Sequence, residues 1–380
     1  VVGIPGRGNN SSNVGHVELY LGSSSGLTST PAWVWTLNAS QGFTGAKLAS
    51  AGDVDSDGDE ELLIVSSNYT SPNPNSEKGR VDMFLGGQSL GQVPDWTLNG
   101  TAIDSILGAS IAGGGDVNGD GYDDFAISST GTKDNPVGFS AIEIFFGSAS
   151  GISMQADQRL DSNIQGKLLG YHMDWVDLDG NGNDELLVGE PFNGSSYQSG
   201  LIWIFNGTDA GLDLPTPLTT LSSTQSNDQI GSYFSSAGDI NEDGYEDLLI
   251  SRRGLGKIGS LSLYLGSEFG ILTTYQSIAQ GAEQGDMMAV TFSTGGDCDD
   301  DDMSEIMILE FDDISSGGDG WIDVLTERDW STTSLGYQGI SILDIQIGSS
   351  FSGIPNILID SQPPILLQYM DDGTPEGHWL

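Results

Sequence analysis

The sequence contains a nine-residue stretch, residues 53–61, in which acidic side chains alternate with other residues. The stretch reads Asp-Val-Asp-Ser-Asp-Gly-Asp-Glu-Glu, which places side-chain oxygens at positions 1, 3, 5 and 9 and a glycine at position 6. Calcium takes roughly six to eight oxygen ligands at about 2.3–2.6 Å, and a tight acidic loop can supply them. The glycine can adopt the left-handed conformation that turns the chain back around an ion. The stretch therefore predicts a calcium-binding loop.

Four further stretches have the same spacing, although the last of them carries Asp302 where the others have the turn glycine. The five loops start 63, 61, 62 and 58 residues apart, and such a regular period predicts a repeat architecture. We expect about five Ca²⁺ ions per chain, one for each loop. The ligands predicted at positions 1, 3, 5 and 9 are Asp53, Asp55, Asp57 and Glu61; Asp116, Asn118, Asp120 and Asp124; Asp177, Asp179, Asn181 and Glu185; Asp239, Asn241, Asp243 and Asp247; and Asp297, Asp299, Asp301 and Glu305.

The segments around the first loop predict four short strands. Residues 43–49 precede the loop, and the continuous apolar run 62–65 follows it, as expected for a strand buried on both faces. Apolar residues alternate along 79–86, and the repeat ends with the tryptophan-bearing segment 94–99. No segment of the chain has sustained helical periodicity. Four antiparallel strands repeated about every 60 residues are typical of propeller blades.

The apolar second strand recurs seven times, which predicts an all-β, seven-bladed β-propeller of four-stranded antiparallel blades in one domain, residues 1–380. The first blade is predicted to be incomplete, because the opening strand and its loop have no counterpart before Val1. Either upstream residues were removed or another polypeptide donates the strand. The loop of the seventh repeat has lost its carboxylates and is predicted to bind no metal. The predicted repeats are 1–40 (partial), 41–102, 103–165, 166–224, 225–279, 280–335 and 336–380.

The charge balance limits the possible partners. The chain has 54 acidic and 11 basic residues, a net charge of −43, so it repels nucleic acid and anionic lipid. No apolar run is long enough to span a bilayer, and no signal peptide is evident at the start, so we expect no direct membrane insertion. Cys298 is the single cysteine, which leaves no internal disulfide.

The order of these segments resembles the FG-GAP repeat of integrin α-subunit propellers. The resemblance rests on an opening strand such as 43–46, the acidic loop, the apolar strand 62–65 and the Gly-x-Val-x-x-Phe-x-Gly segment 79–86. It implies an extracellular or cell-surface protein that acts as an adhesion or protein-interaction module. It also implies that the backbone carbonyl of position 7 is a calcium ligand, which in this chain is contributed by Asp59, Tyr122, Asn183, Tyr245 and Met303.

Two other functions remain open. In a carbohydrate-binding lectin, the recurring tryptophans of the outer strands would stack on sugar rings, although packing between blades also explains them. A polysaccharide-degrading enzyme would need free acid–base groups in a cleft. The residues weighed for these two functions are Trp33, Trp35, Trp96 and Trp330 for the lectin, and His16, His172, His378, Arg252 and Arg253 for the enzyme.

We interpret His16 and His378 as surface residues, His172 as an interior residue and the arginine pair as part of a solvated blade edge, and we expect no enzymatic activity. A protein or glycan ligand is expected on the long loops between second and third strands, because binding residues of a rigid scaffold concentrate on such loops. These loops are 6–15, 66–78, 129–137 and 191–199.

Overall fold

The structure is a computed structural model that describes most of residues 1–280 and short segments beyond. No helix occurs in the described part of the chain, and accordingly none there is long and apolar enough to cross a membrane. The described residues are 1–5, 15–23, 26–37, 43–67, 78–87, 89–100, 105–131, 140–162, 168–192, 199–223, 225, 227–254, 259–280, 291–294, 306–311, 320–325 and 340–341.

The first sheet has three strands, β1 (Val2–Ile4), β2 (His16–Leu19) and β5 (Trp33–Trp35), in the order β1-β2-β5. A two-stranded ribbon, which was not predicted, lies between β2 and β5 and consists of β3 (Gly22–Ser23) and β4 (Gly26–Leu27). The three strands match the second, third and fourth strands of a blade, so among the described residues the first blade has no inner strand.

The second and third sheets have four antiparallel strands each, in chain order. The second strand of each sheet is buried along its apolar run, because neighbouring elements cover both of its faces. The second sheet consists of β6 (Thr44–Ser50), β7 (Leu62–Ser66), β8 (Arg80–Phe84) and β9 (Trp96–Asn99), and the third of β10 (Ser105–Gly115), β11 (Asp124–Gly131), β12 (Ala141–Phe145) and β13 (Gln158–Asp161).

Three further four-stranded sheets follow with the same strand order. They consist of β14 (Met173–Val176), β15 (Glu185–Gly189), β16 (Leu201–Phe205) and β17 (Thr219–Ser222); of β18 (Phe234–Gly238), β19 (Asp247–Arg252), β20 (Ser260–Tyr264) and β21 (Tyr275–Gln280); and of β22 (Thr291–Thr294), β23 (Ile306–Phe311), β24 (Gly320–Leu325) and β25 (Ile340–Ser341).

The position of β25 corrects the predicted end of the sixth repeat. Ile340 pairs with Leu325 of β24, so the outer strand of the sixth sheet lies beyond residue 335, where we had placed the repeat boundary. The connection from β24 to β25 is longer than the corresponding connection between β8 and β9, and the prediction had followed the recurrence of tryptophan to Trp330 instead. Trp330 and the rest of the predicted seventh repeat lie outside the described residues.

The chain divides into two compact units. The first unit is Val1–Trp175, Gly182–Glu190 and Ile204–Thr219, and the second is Val176–Asn181, Pro191–Trp203 and Thr220–Leu380. In the first unit the core includes Leu63, Val81, Phe125 and Phe145, and in the second it includes Leu249, Leu263, Phe292 and Ile308.

Outer-strand tryptophans pack between consecutive sheets of the first unit. Trp33 and Trp35 contact Phe84 of the next sheet edge-to-face, with ring centroids 5.1 and 5.0 Å apart. Trp96 makes the same kind of contact with Phe125 and Phe145, at 5.7 and 5.1 Å. The three indoles are only 4–7% exposed, so these aromatic pairs stabilise neighbouring sheets against each other.

Candidate metal centre

Four of the five acidic loops lie in the described part of the chain, each between the first and second strands of a sheet. Loop 53–61 joins β6 to β7, loop 116–124 joins β10 to β11, loop 177–185 joins β14 to β15, and loop 239–247 joins β18 to β19. Each loop leads directly into a strand whose apolar residues are buried. The fifth loop, with Asp297, Asp299, Asp301, Met303 and Glu305, lies outside the described residues.

The loops turn through two left-handed residues each, at positions 4 and 6. The glycine at position 6 has a positive φ in all four loops, as predicted. Position 4 also has a positive φ, which the sequence pattern did not reveal because two of the four residues are not glycine. The φ values are 94°, 84°, 82° and 91° at Gly58, Gly121, Gly182 and Gly244, and 59°, 66°, 68° and 58° at Ser56, Gly119, Gly180 and Glu242.

The first carboxylate of each loop is fixed by backbone N–H groups of its own loop. In the first loop, Asp57 N donates to Asp53 Oδ1 at 2.9 Å and Gly58 N donates to Asp53 Oδ2 at 2.9 Å. The same pair of bonds holds Asp116 and Asp239. These bonds orient the position 1 side chain toward the inside of the turn and leave each of its oxygens with further acceptor capacity.

The carboxylates of the first loop lie close enough together to share an ion. One oxygen from each of Asp53, Asp55 and Asp57 lies within 4.8 Å of the others. Asp55 Oδ1 is buried and has no hydrogen-bond partner. A buried carboxylate oxygen without a donor is costly unless a cation binds it. The clustered oxygens and this orphaned atom therefore fit a hard divalent cation such as Ca²⁺.

The position 9 carboxylates are buried and make structural hydrogen bonds. Asp124 accepts the N–H of Val117 at 3.1 Å and the N–H of Gly147, which follows the third strand, at 2.8 Å. Glu61 and Asp247 accept the corresponding pairs of bonds in their sheets. Burial raises the pKa of Asp124 to about 8 and that of Asp247 to about 6, against the opposing effect of the N–H donors. Position 9 thus ties the loop to the third strand in addition to its predicted role as a ligand.

The acidic residue at position 8 contacts the preceding loop, a role that we did not predict. Asp123 Oδ2 accepts the N–H of Asp53 at 2.7 Å, and Asp184 Oδ2 accepts the N–H of Asp116 at 2.7 Å. The sequence does carry a signal, since position 8 is acidic in four of the five loops, at Glu60, Asp123, Asp184 and Glu246.

Two residues weighed for catalysis have ordinary structural partners. His16 Nε2 lies 3.2 Å from Glu18 Oε1, on the partly exposed strand β2. We had interpreted Arg252 as a solvated edge residue, and this was wrong, because it is 6% exposed and pairs with Asp228. The guanidinium also lies 4.3 Å from the ring centroid of Tyr275. Asp228, which balances the charge of Arg252, lies 24 residues earlier in the sequence, so residues 252 and 253 alone gave no sign of this ion pair. His378 lies outside the described residues.

Comparison with known proteins found a family match that includes one of these acidic loops. The FG-GAP repeat family model matches residues 107–141, which contain most of β10, the second acidic loop and β11. This match, together with the similarities below, supports an integrin-like FG-GAP propeller. Integrin alpha-IIb of Mus musculus is 32% identical over 188 residues, which cover 43% of this chain and 18% of that protein. Integrin alpha-PS2 of Drosophila melanogaster is 33% identical over 177 residues, which cover 43% of this chain and 12% of that protein.

The chain therefore spans less than a fifth of the length of these integrin subunits. Among solved structures, the rhamnogalacturonan lyase PL11 of Bacillus licheniformis matches 91% of this chain and 70% of its own, with 13% identity and a TM-score of 0.35. A similarity at that TM-score supports no statement about fold or function.

Proposed function

We propose that this FG-GAP propeller is a calcium-stabilised adhesion or protein-interaction module that acts outside the cell or at its surface. The observation that carries the proposal is the convergence of Asp53, Asp55 and Asp57 in one loop, with Asp55 Oδ1 buried and unpartnered. The same loop type recurs between the first two strands of four described sheets. Similarity to integrin alpha subunits supports the adhesion role.

In each loop the side chains at positions 1, 3, 5 and 9 and the carbonyl of position 7 would hold the cation. The bound ion supplies positive charge that offsets the mutual repulsion of the clustered carboxylates. Because the ligands precede and follow the turn, they connect the end of one strand to the start of the next. Binding free energy would therefore add to folding free energy.

An extracellular setting suits loops of this kind. Extracellular calcium modules work with dissociation constants of roughly 10⁻⁴–10⁻³ M, since the surrounding calcium is plentiful. A protein with net charge −43 also gains from cations and salt that screen its self-repulsion. A surface-protease protection assay on producing cells tests the location, since an extracellular protein is digested in intact cells and an internal one survives.

Native mass spectrometry in calcium tests the metal assignment. We expect about five bound ions, one per acidic loop, and one fewer in a chain carrying Asp53→Asn and Asp57→Asn together. Gln155→Ala is a matched control outside the loops, since Gln155 is an exposed residue of the connection between β12 and β13. A parent chain that binds no calcium would contradict the assignment.

The predicted ligand-binding loops lie largely outside the described residues, so the partner stays a prediction. The alternative lectin function loses its sugar-stacking candidates in the first unit, because Trp33, Trp35 and Trp96 are almost fully buried. Binding to a glycan array that survives substitution of the loops 66–78 and 129–137 would contradict the loop assignment. Turnover of a polymeric saccharide would contradict the expectation that the protein is not an enzyme.

A further inference from the structure

Consecutive acidic loops of the first unit are connected by a reciprocal pair of hydrogen bonds. The N–H of Asp53 donates to Asp123 Oδ2 at 2.7 Å, and the N–H of Asp123 donates to the carbonyl of Asp53 at 3.2 Å. Both backbone polar groups of the first ligand in loop 53–61 are therefore bound by position 8 of the next loop. The added carboxylate places a second negative charge beside Asp53.

The same arrangement recurs one loop further along. The N–H of Asp116 donates to Asp184 Oδ2 at 2.7 Å, and the N–H of Asp184 donates to the carbonyl of Asp116 at 3.2 Å. In the second unit, the N–H of Glu246 donates to the carbonyl of Asp177 at 3.3 Å. Repetition at matched positions indicates that the contact belongs to the repeat.

A second contact joins the same pair of loops. A Cβ on Gly119, at position 4 of the second loop, would overlap Asn183 Oδ1, at position 7 of the third loop. The third loop thus approaches the second at two points, at the backbone of its first ligand and at its left-handed turn. Position 7 supplies a proposed carbonyl ligand, so ordering of the third loop around an ion also restricts the turn of the second loop.

The carboxylate at position 1 is also held by backbone N–H groups of its own loop. Asp116 accepts the N–H groups of Asp120 and Gly121 at 3.1 and 2.9 Å within its own loop. Its backbone is fixed by Asp184, and its carboxylate is fixed by its own turn. A ligand positioned in advance loses less conformational freedom when the ion binds, which strengthens binding.

We propose that Asp123 and Asp184 are positioning residues for the cation loop that precedes them, so that neighbouring calcium loops bind as a coupled series. The proposal rests on the calcium-binding function proposed above. Coupling between binding sites is reciprocal, so an ion in loop 116–124 strengthens binding in loop 53–61 and the reverse also holds. Removing Asp184 therefore weakens the second loop although the residue belongs to the third.

Tyrosine-sensitised terbium luminescence separates the loops in the full chain. Tyr122 is at position 7 of the second loop and Tyr245 at position 7 of the fourth, whereas Asp59 and Asn183 occupy position 7 of the first and third loops. A Tyr245→Phe chain reports the second loop. A Tyr122→Phe chain reports the fourth loop together with the third, because the Tyr245 ring lies beside Gly180. Signal that remains in the double variant is subtracted, and competition with calcium confirms that terbium occupies the calcium site.

Asp184→Ala is expected to weaken terbium binding at the Tyr122 reporter by about ten-fold or more, the usual effect of removing a partner that orients a metal ligand. Binding at the Tyr245 reporter is expected to weaken less, because Asp184 contacts the second loop directly, whereas the fourth loop contacts the third at Asp177. Asp184→Asn keeps an acceptor oxygen and should recover part of the loss at Tyr122.

Glu60→Ala is the matched control. Glu60 also occupies position 8, but its Oε2 accepts the hydroxyl of Ser50 at 2.7 Å within its own sheet instead of contacting an earlier acidic loop. Both reporters should be unchanged in this variant. Equal weakening of both reporters by Asp184→Ala would mean general destabilisation, and unchanged binding at Tyr122 would mean no coupling, so either result overturns the proposal. A parent chain that binds neither terbium nor calcium would overturn the calcium-binding function itself.

Discussion

Replacing a buried and an exposed ligand of the same loop separates the structural role of the loop from its metal role. Asp124 at position 9 is fully buried, whereas Asp120 at position 5 is exposed. We predict that Asp124→Ala destabilises the protein with or without calcium, and that Asp120→Ala destabilises it only when calcium is present.

The magnitudes follow from the hydrogen bonds. Asp124→Ala leaves the N–H groups of Val117 and Gly147 without their acceptor. An unsatisfied buried donor costs about 1–3 kcal/mol, so the free energy of unfolding should fall by about 2–6 kcal/mol in chelator. Asp120→Ala removes an exposed acceptor of the Tyr122 N–H, and an exposed substitution of this kind changes stability by about 0.5 kcal/mol or less.

Urea denaturation of the parent and both variants, in millimolar calcium and in excess chelator, provides the measurement. The predicted pattern is a large loss for Asp124→Ala under both conditions and a loss for Asp120→Ala that disappears in chelator. Equal losses for the two variants in chelator would refute the assignment of position 9 as a structural tie between the loop and the third strand.

Three further predictions concern positions outside the proposed ligand sets. Gly79→Ala should destabilise the protein more than Gly58→Ala, because both glycines have a positive φ but only at Gly79 would a Cβ overlap a backbone carbonyl, that of Leu107. Gly58→Ala should cost about 1–2 kcal/mol through backbone strain alone. Equal denaturation midpoints for the two variants would contradict the close approach at Gly79. Burial lowers the pKa of Lys47 from 10.5 to about 8, so between these pH values the unfolded chain binds one more proton than the folded chain. The free energy of unfolding should therefore rise with pH across that window. Urea denaturation at a series of pH values measures this rise, which Lys47→Met should remove. Ser128→Ala should lower stability by about 2 kcal/mol, since its buried hydroxyl accepts the N–H of Ser110 and donates to the carbonyl of Gly170, in the turn before β14. An unchanged melt would contradict that bridging role.

The repeat and the loops could be predicted from the sequence because their signals are local. The ligand spacing, the turn glycine and the apolar strand after it all lie within about 15 residues, as in residues 53–66. The four-strand order of a blade follows from the same pattern repeated. The structure accordingly contains β6 to β9 close to the predicted segments.

Contacts between repeats could not be predicted, because they depend on how sheets are placed. The bond from Asp53 N–H to Asp123 joins residues 70 positions apart, and nothing in either loop alone indicates it. Arg252 likewise finds Asp228 on a different segment. The outer strand of the sixth sheet contains Ile340 instead of the segment around Trp330, because pairing with β24, and not the recurrence of a tryptophan, decides which segment forms the strand. In each case, the sequence offers several residues that could make the contact, and tertiary packing decides which one does.

The central claim is that the acidic loops bind calcium and that the bound ions stabilise the fold. A thermal melt of the parent chain across a calcium titration, beginning in excess chelator, tests it most directly. Free calcium at ten times the dissociation constant should add about 1.4 kcal/mol for each occupied loop, so the melting temperature should rise steadily with calcium. A melting temperature that is the same in chelator and in calcium would contradict the claim and would mean that the loops are acidic turns without a stabilising ion.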